Sequence, residues 1–357
     1  MINFPFRVIS KKFLGVDIGT SAIKIVELGR FGKRLTLENY GEISATVFYK
    51  KPFRTFEKST LSLATSDIAK AVKAILEETK IKTKKACFSI PDFCSFFTWF
   101  ELPKMTEKEL PEAIKYAARQ RIPIPLSEVT LDWQIIEGKV GGPEKTNLKI
   151  LLVTVPNEII NQYREIAEKC QLELQTLEAE VFGLTRSLVR NEKKVVALVD
   201  IGAQSTTVSV IDQKILKRSH SFDVSGNELT YTIAKSLGID YNEAEELKKQ
   251  HGLTVSQQNS VRDIVSPFID LIVAEIEKIS REFFQTESKT IEKIILAGGT
   301  VLLPGLEEYF KKGLQKEVAI TNPFSDVFYP SILEETLRKM GPSYAIAIGM
   351  ALKGLVE

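Results

Sequence analysis

The sequence predicts an α/β protein with two related lobes and an insertion in the first of them. Three observations predict this fold: a strand–turn–strand pattern that occurs twice, a β-α-β-β-α block between the two copies, and a helical stretch after the second copy. The length of 357 residues is enough for about two domains. With 44% apolar and 26% charged residues, the composition is typical of a globular protein and excludes extended disorder.

The repeated pattern centres on an Asp-Ile-Gly tripeptide that begins at Asp17 and again at Asp200. An apolar strand leads into each copy, and a second strand rich in β-branched residues follows it. The glycine of such a turn either supplies a positive φ or lets backbone N–H groups approach a ligand. Those N–H groups, with a Ser or Thr hydroxyl, form a concavity for anions, and the Asp can stand beside a hydrated Mg²⁺. Two such turns facing each other predict a clamp for a polyphosphate.

The block between the repeats begins with one long strand region over 85–101, interrupted by Pro91-Asp92. The segment 106–121 predicts a helix, because Thr106 and Glu109 form a capping box ahead of apolar residues at helical spacing. The rest of the block is predicted as two strands and a helix over 129–137, 148–155 and 157–171.

Five aromatic residues lie close together at the start of this block. They are Phe93, Phe96, Phe97, Trp99 and Phe100. Alternation along a strand favours the core of the inserted sheet for them, and an interface anchor is the alternative.

The second half changes from strands to helices after Phe222. The predicted helices cover 226–237, 241–251 and 261–286, and later 306–314 and 342–354. Between these two groups, a strand over 293–297 leads into Gly298-Gly299. Two glycines let a flat ring system lie against bare backbone, and a plain strand-to-helix turn is the alternative.

Composition and charge exclude several function classes. The 3 cysteines and 2 histidines match no zinc, redox or triad spacing, and buried thiols in a reducing compartment are expected. No apolar run approaches the roughly 20 residues that span a bilayer, and none near the N-terminus is typical of a signal peptide. With 48 basic and 46 acidic residues, a strongly basic nucleic-acid binder is excluded. We therefore expect no nucleic-acid partner and no direct membrane insertion.

The three glycine-containing elements, in this order, resemble the actin-like ATPase superfamily of actin, Hsp70 and sugar kinases. Asp17–Ser21 is similar to its first phosphate motif, Asp200–Ser205 to its second, and Ala297–Thr300 to its adenosine motif. The resemblance covers the whole chain and implies two RNase H-like subdomains that bind ATP or ADP with Mg²⁺. The metal would be held, through water, by Asp17 and Asp200. The implied nucleotide-binding residues are Asp17, Gly19, Thr20, Ser21, Lys24, Asp200, Gly202, Ala203, Gln204, Ser205, Gly226, Glu245, Lys248, Gly298, Gly299, Thr300 and Leu303.

Two of these nucleotide-binding residues have an alternative interpretation. The segment that holds Glu245 and Lys248 is similar to the small-lobe helix whose Glu and Lys contact the nucleoside in bacterial actins. A solvated helix face with i, i+3 pairing would explain the same two residues.

Hydrolysis would need a residue that orients the attacking water near the γ-phosphate. By resemblance to the bacterial actins, Glu178 aligns best with the acid at the start of the helix between the lobes, and Glu180 is second. Because Ala179 stands where that motif has proline, we expect nucleotide binding with slow or absent turnover.

The inserted block narrows the resemblance to the FtsA-like, SHS2-containing branch of the superfamily. The phrase from Ala118 to Trp133 and the opening hairpin closely resemble the PilM family of type IV pilus assembly proteins. The resemblance implies subdomain 1A at 1–84 and 172–192, the inserted subdomain 1C at 85–171, subdomain 2A at 193–222 and 290–357 with its last helix packing back toward 1A, and a small helix-rich subdomain 2B at 223–289.

Membership of that family would imply an ATP-binding adaptor on the cytoplasmic face of the inner membrane. Such proteins bind the short cytoplasmic N-terminal tail of the membrane protein PilN, in a first-lobe groove near the insertion, and contact the pilus motor ATPases. FtsA continues into a membrane-binding amphipathic helix that this sequence lacks, so we expect partners to hold the protein at the membrane. The alternatives are a self-associating FtsA-like filament, a scaffold related to type II secretion, and a small-molecule kinase, for which no catalytic Asp is evident.

Overall fold

Each half of the chain is built around a five-stranded sheet, and the two sheets share one topology. The computed structural model describes residues 11–45, 52–57, 60–140, 147–255 and 260–356. In spatial order the first sheet holds β10 (Glu173–Ala179), β6 (Lys85–Ile90), β1 (Lys11–Ile18), β2 (Ala22–Phe31) and β3 (Arg34–Ser44). The second holds β13 (Ile215–Phe222), β12 (Thr206–Asp212), β11 (Val196–Ile201), β14 (Lys293–Ala297) and β15 (Glu317–Ile320). In both sheets an antiparallel three-strand meander continues into parallel strands, which confirms the predicted two-lobed α/β fold.

Helices cover both faces of the two sheets. In the first lobe, α1 (Thr65–Glu78) and α3 (Asn157–Lys169) share a core with one sheet face, and a β4–β5 hairpin (Arg54–Glu57 and Thr60–Leu63) lies beside them. The outer face of the second sheet carries α5 (Gly226–Leu237), α6 (Tyr241–His251), α7 (Ser260–Glu287) and α8 (Leu306–Leu314). Two further helices, α4 (Glu180–Leu188) and α9 (Glu334–Val356), lie between the lobes. Their buried residues share one apolar cluster with Phe13 of the first sheet and Leu198 of the second.

The inserted subdomain is smaller than the predicted range of 85–171. Its own sheet has the order β7 (Phe96–Leu102), β9 (Leu148–Pro156) and β8 (Val129–Glu137), with α2 (Leu110–Arg119) packed on one face. The strand region predicted over 85–101 is interrupted at Pro91-Asp92 as predicted, but its two parts belong to different sheets. Strand β6 pairs with β1 and β10 in the first sheet, and a 3₁₀ turn separates it from β7. Its almost entirely buried side chains are typical of a central parallel strand, which pattern alone does not assign to one sheet or another.

The face of the inserted sheet that α2 does not cover packs against the second lobe. The Trp99 indole Nε1–H donates to the carbonyl of Leu216 at 3.0 Å, and the Lys217 ammonium lies 2.6 Å from the Glu137 carboxylate. Phe100, on the opposite face, is buried in the insertion's own core, whereas Phe96 is 37% exposed. The core interpretation is therefore confirmed for Phe100, whereas the interface anchor stays a prediction for the exposed Phe96.

The last helix begins earlier than predicted, at Glu334, and contains Pro342 within it. It packs closely against both β1 and α4. A Cβ at Gly15 would lie 1.8 Å from the carbonyl oxygen of Ala347, and one at Gly349 would lie 2.0 Å from that of Gly183. Only glycine allows these approaches, so these two residues fix the position of α9 against the first lobe.

Candidate functional site

The two Asp-Ile-Gly turns close in the same way. The Gly19 N–H donates to the carbonyl of Ala22 at 2.9 Å, and the Gly202 N–H donates to that of Ser205 at 3.0 Å. Neither glycine adopts a positive φ, which excludes the first of the two predicted roles and leaves the close approach of the backbone. A Cβ at Gly19 would lie 2.7 Å from the Ala22 oxygen, and glycine is required because the chain crosses itself so closely.

The turns face each other across the cleft between the lobes, as predicted. The Thr20 hydroxyl donates to Oε1 of Gln204 at 2.9 Å, and the Ser21 hydroxyl lies 3.5 Å from Oδ1 of Asn227. Thr20 is buried, whereas Ser21 and Gln204 are half-buried. Polar side chains from both lobes therefore converge at one point, as a phosphate clamp requires.

The start of α5 is tied to the second turn through backbone hydrogen bonds. The Gly226 N–H donates to the carbonyl of Gly202 at 2.9 Å, and the Asn227 N–H donates to that of Ala203 at 3.0 Å. The Thr300 hydroxyl lies 3.4 Å from the same Gly202 oxygen. The structure thus brings Gly226 and Thr300, two of the predicted nucleotide-binding residues, to the second turn.

The Gly298-Gly299 turn passes directly beside Asp200. Gly298 has a φ of +91°, and a Cβ there would lie 2.5 Å from both Oδ1 of Asp200 and the carbonyl of Ile201. Gly299 has open space around it. Leu303 is 6% exposed and packs in the apolar core of the second lobe, so the structure does not bring it to the cleft as predicted. Its position after the turn aligned it with the motif, but its apolar side chain is buried instead.

Glu245 and Lys248 join α6 to α5. The Lys248 ammonium donates to the carbonyl of Gly226 at 2.9 Å and to the Thr230 hydroxyl at 2.6 Å, and it lies 2.6 Å from Oε2 of Glu245. Burial lowers the pKa of Lys248 despite that carboxylate. The i, i+3 pair exists, but on a buried face, where it supports the helix start that contacts the second turn.

Acidic side chains crowd the floor of the cleft. Asp17 is 4% exposed and accepts a hydrogen bond from the Ser89 hydroxyl at 2.9 Å. Burial, with the negative charges of Glu180 and Asp17, raises the pKa of Asp200 to about 7. Lys24, which pairs with Asp17 across the first hairpin, opposes this rise. The two predicted metal-binding carboxylates, Asp17 and Asp200, are therefore close enough for the charge of Asp17 to raise the pKa of Asp200.

A buried arginine, which the sequence interpretation missed, lies among these carboxylates. The Arg54 guanidinium donates through Nη1 to Oε1 of Glu180 at 3.0 Å and through Nε to the Thr20 hydroxyl at 3.2 Å. Asp92 accepts from the Val181 N–H at 3.1 Å, and its Oδ2 atom has no partner among the described residues. Burial and the neighbouring Glu180 raise the pKa of Asp92 well above its usual range.

A family model described as type IV pilus assembly protein PilM matches residues 15–355 of the chain. The chain belongs to the PilM family. FtsA of Enterococcus faecalis is 21% identical over 352 residues, which cover 87% of this chain and 78% of FtsA. A solved structure described as the PilM–PilN type IV pilus biogenesis complex matches with a TM-score of 0.83 at 24% identity, over 96% of this chain and 98% of that chain. MreB5 of Spiroplasma citri bound to AMPPNP matches with a TM-score of 0.50 at 14% identity, over 96% and 95%.

These likenesses confirm the actin-like fold and the FtsA-like branch. The geometry of this PilM family member corrects one predicted site residue, Glu178. Glu178 lies on β10, where its Oε1 accepts from Arg186 at 2.8 Å and lies 3.9 Å from the Lys353 ammonium. The structure does not bring it to the cleft floor. Glu180, at the first turn of α4, is the carboxylate that reaches Arg54 and Asp92. Along a continuous strand, residues 178 and 180 would share a face. Strand β10 ends at Ala179 and α4 begins at Glu180, so the two side chains point in different directions.

The donor set fits a cation held partly by water and phosphate. Among the described residues, no three His, Cys, Asp or Glu side chains converge closely enough to hold a metal ion. Mg²⁺ commonly retains several waters and takes one or two carboxylates plus substrate phosphates. Asp17 and Asp200 could supply those carboxylates.

In the part of the chain that the structure describes, no helix is long and apolar enough to cross a membrane.

Proposed function

We propose that this PilM family member is an ATP-binding adaptor of the type IV pilus inner-membrane platform. It binds the cytoplasmic N-terminal tail of a PilN-like membrane protein and contacts the pilus motor ATPases. The observation that carries the proposal is the convergence of both hairpin turns on one acidic cleft, through the contact of Thr20 with Gln204. The AMPPNP bound to the actin-like neighbour MreB5 supports a nucleotide as the ligand.

Phosphate oxygens would replace the direct contact between the two turns. The Thr20 and Ser21 hydroxyls and the Gln204 amide would donate to them, while Asp17 and Asp200 would hold Mg²⁺ through water. The cation would neutralise the crowded carboxylates and supply charge stabilisation to the phosphates. Because these donors belong to different lobes, binding would change how the lobes meet, and so couple nucleotide to partner binding.

The inserted subdomain offers a surface for the PilN-like tail. Cross-strand register puts Phe96 and Trp133 on the same face of the inserted sheet, and each is 37% exposed. Aromatic side chains are frequent anchors for bound peptides. The PilM–PilN complex among the solved structures supports a partner of this kind. Binding to it would keep the protein on the cytoplasmic face of the inner membrane.

Titration calorimetry with a synthetic peptide of the PilN-like protein's cytoplasmic N-terminus tests the proposal. Peptide affinity is expected to differ by at least about fivefold with and without Mg-ATP, within the usual range of coupling between sites. The double variant Phe96→Ala/Trp133→Ala should lose at least about tenfold in peptide affinity. Tyr116→Ala, at a residue 65% exposed on α2, is the matched control and should bind normally. Equal peptide affinity in both nucleotide states would contradict the coupling.

A further inference from the structure

Arg54 connects two parts of the cleft that belong to different segments of the chain. It begins β4, yet its side chain is buried and contacts both the first phosphate turn, at Thr20, and the start of α4, at Glu180. Burial alone would lower the pKa of the guanidinium, but Glu180, Tyr163 and Asp17 together outweigh it and raise the pKa above its ordinary value. Arg54 is therefore a permanent cation on the cleft floor.

Both carboxylate oxygens of Glu180 already have donors. Oε1 accepts from Arg54 Nη1 at 3.0 Å, and Oε2 accepts from the Asp92 N–H at 3.4 Å. Glu180 is also only 6% exposed. A carboxylate that activates water needs an oxygen within hydrogen-bond reach of that water, and an ion pair with arginine weakens its basicity.

We infer that Arg54 is a positioning residue that holds Glu180 in an ion pair and so keeps hydrolysis of bound nucleotide slow. This inference rests on the proposed nucleotide binding. In hydrolysis, a water oxygen attacks the γ-phosphorus and the bond to the β-phosphate oxygen breaks. ADP leaves with that electron pair, and the water proton passes to a carboxylate. With Arg54 in place, Glu180 is held as a structural partner of the first turn. Burial raises the pKa of Glu180, but the charge of Arg54 opposes that rise, so Glu180 accepts the proton less readily than it would without Arg54.

Single-turnover hydrolysis of pre-bound ATP, followed as phosphate release, tests this role. Arg54→Gln should raise the rate constant roughly tenfold or more, because a freed general base contributes about 10²–10⁴-fold. The double variant Arg54→Gln/Glu180→Gln should lose that gain. Arg54→Lys keeps a cation but cannot span both Thr20 and Glu180, so a smaller rise is expected.

Controls separate this role from folding and from nucleotide binding. Affinity for a fluorescent ATP analogue and a thermal melt are measured for every variant. If Arg54→Gln does not fold, Arg54→Lys decides. A folded variant that binds ATP and hydrolyses it at the wild-type rate, or more slowly, overturns the role of Arg54 alone. A gain that persists in the double variant overturns it too, since Glu180 would not be the base. A wild-type chain that binds no nucleotide overturns the proposed function as well.

Discussion

The two phosphate turns have the same backbone closure but very different surroundings. The first turn accepts backbone hydrogen bonds from the N–H groups of Phe53 and Ala45. Charged and polar side chains from distant segments also hold it, through the contacts of Asp17 with Ser89 and of Thr20 with Arg54. The second is held by backbone groups, since Gly202 accepts from the Gly226 N–H. The first turn thus depends on side-chain contacts in addition to its backbone, and the second depends on close backbone packing, while both lobes contribute a carboxylate to the cleft floor through Asp17 and Asp200.

This difference indicates that the two copies of the motif keep the same turn while the residues around each turn take different roles. A turn that closes on its own backbone needs little else, so neighbouring residues are free to differ between the copies. Substitutions that change shape should therefore act most strongly in the second lobe. Substitutions that change charge should act through the acidic floor that both lobes share.

Gly298→Ala is expected to have the largest effect. The new Cβ would lie 2.5 Å from Asp200 Oδ1, and alanine at a φ of +91° is strained as well. Left-handed backbone and overpacking together give an expected loss of about 2–4 kcal/mol in the free energy of unfolding. Urea unfolding measures it. Gly299→Ala, whose new Cβ would meet no other described residue within 4 Å beyond its chain neighbours, is the control and should change stability by less than about 0.5 kcal/mol. Equal losses in both variants would contradict the role of shape.

Lys248→Met tests the support beneath the second turn. The substitution removes the donor to the Gly226 carbonyl and the Thr230 hydroxyl, and it leaves the carboxylate of Glu245 without its nearest cation. Groups left unsatisfied in a buried site predict a loss of about 1–3 kcal/mol. Lys249→Met, whose side chain is 60% exposed, is the matched control. Calorimetry measures the melting temperature of each variant. Equal melting temperatures would mean that the contact of Lys248 between α5 and α6 stabilises the protein no more than an exposed ion pair does.

The turns and the Gly-Gly element could be predicted from the sequence because each is a contiguous motif. Gly298 and Asp200 meet because β14 and β11 are parallel neighbours, a pairing that the structure shows and the motifs alone do not. Arg54 could not be found this way. It lies on a short hairpin between two longer elements, and only the packed fold brings it to Glu180.

The same limit explains the error in the insertion. Strand β6 and strand β7 are continuous in hydrophobicity, and their separation depends on which sheet each one pairs with. The Pro91-Asp92 break between them is the one sequence signal of the change. Asp92 interrupts the strand pattern, and its side chain accepts from the N–H of Val181 at the start of α4.

Asp200→Asn should show the charge crowding on the floor of the cleft. Because the folded-state pKa of Asp200 is raised to about 7 from an ordinary 3.8, ionising it opposes folding. The penalty is absent below about pH 4, grows as the pH rises between these two values, and is constant above them. Asn carries no charge, so the variant should melt at least about 2 °C above wild type at pH 8. Without added Mg²⁺ or nucleotide, that difference should shrink toward pH 4. A difference independent of pH would contradict the crowding.

Thr20→Val is expected to have the smallest effect on stability. It removes the hydroxyl that donates to Gln204 and accepts from Arg54, while valine keeps the shape of the side chain. A lost hydrogen-bond partner in a buried site predicts about 1 kcal/mol. Ser21→Ala, whose contact to Asn227 is 3.5 Å long, should cost less than half of that. Chemical unfolding of the pair measures both. A larger loss for Ser21→Ala would place the contact between the lobes at Asn227 and make the second lobe the source of polar contacts as well as of shape.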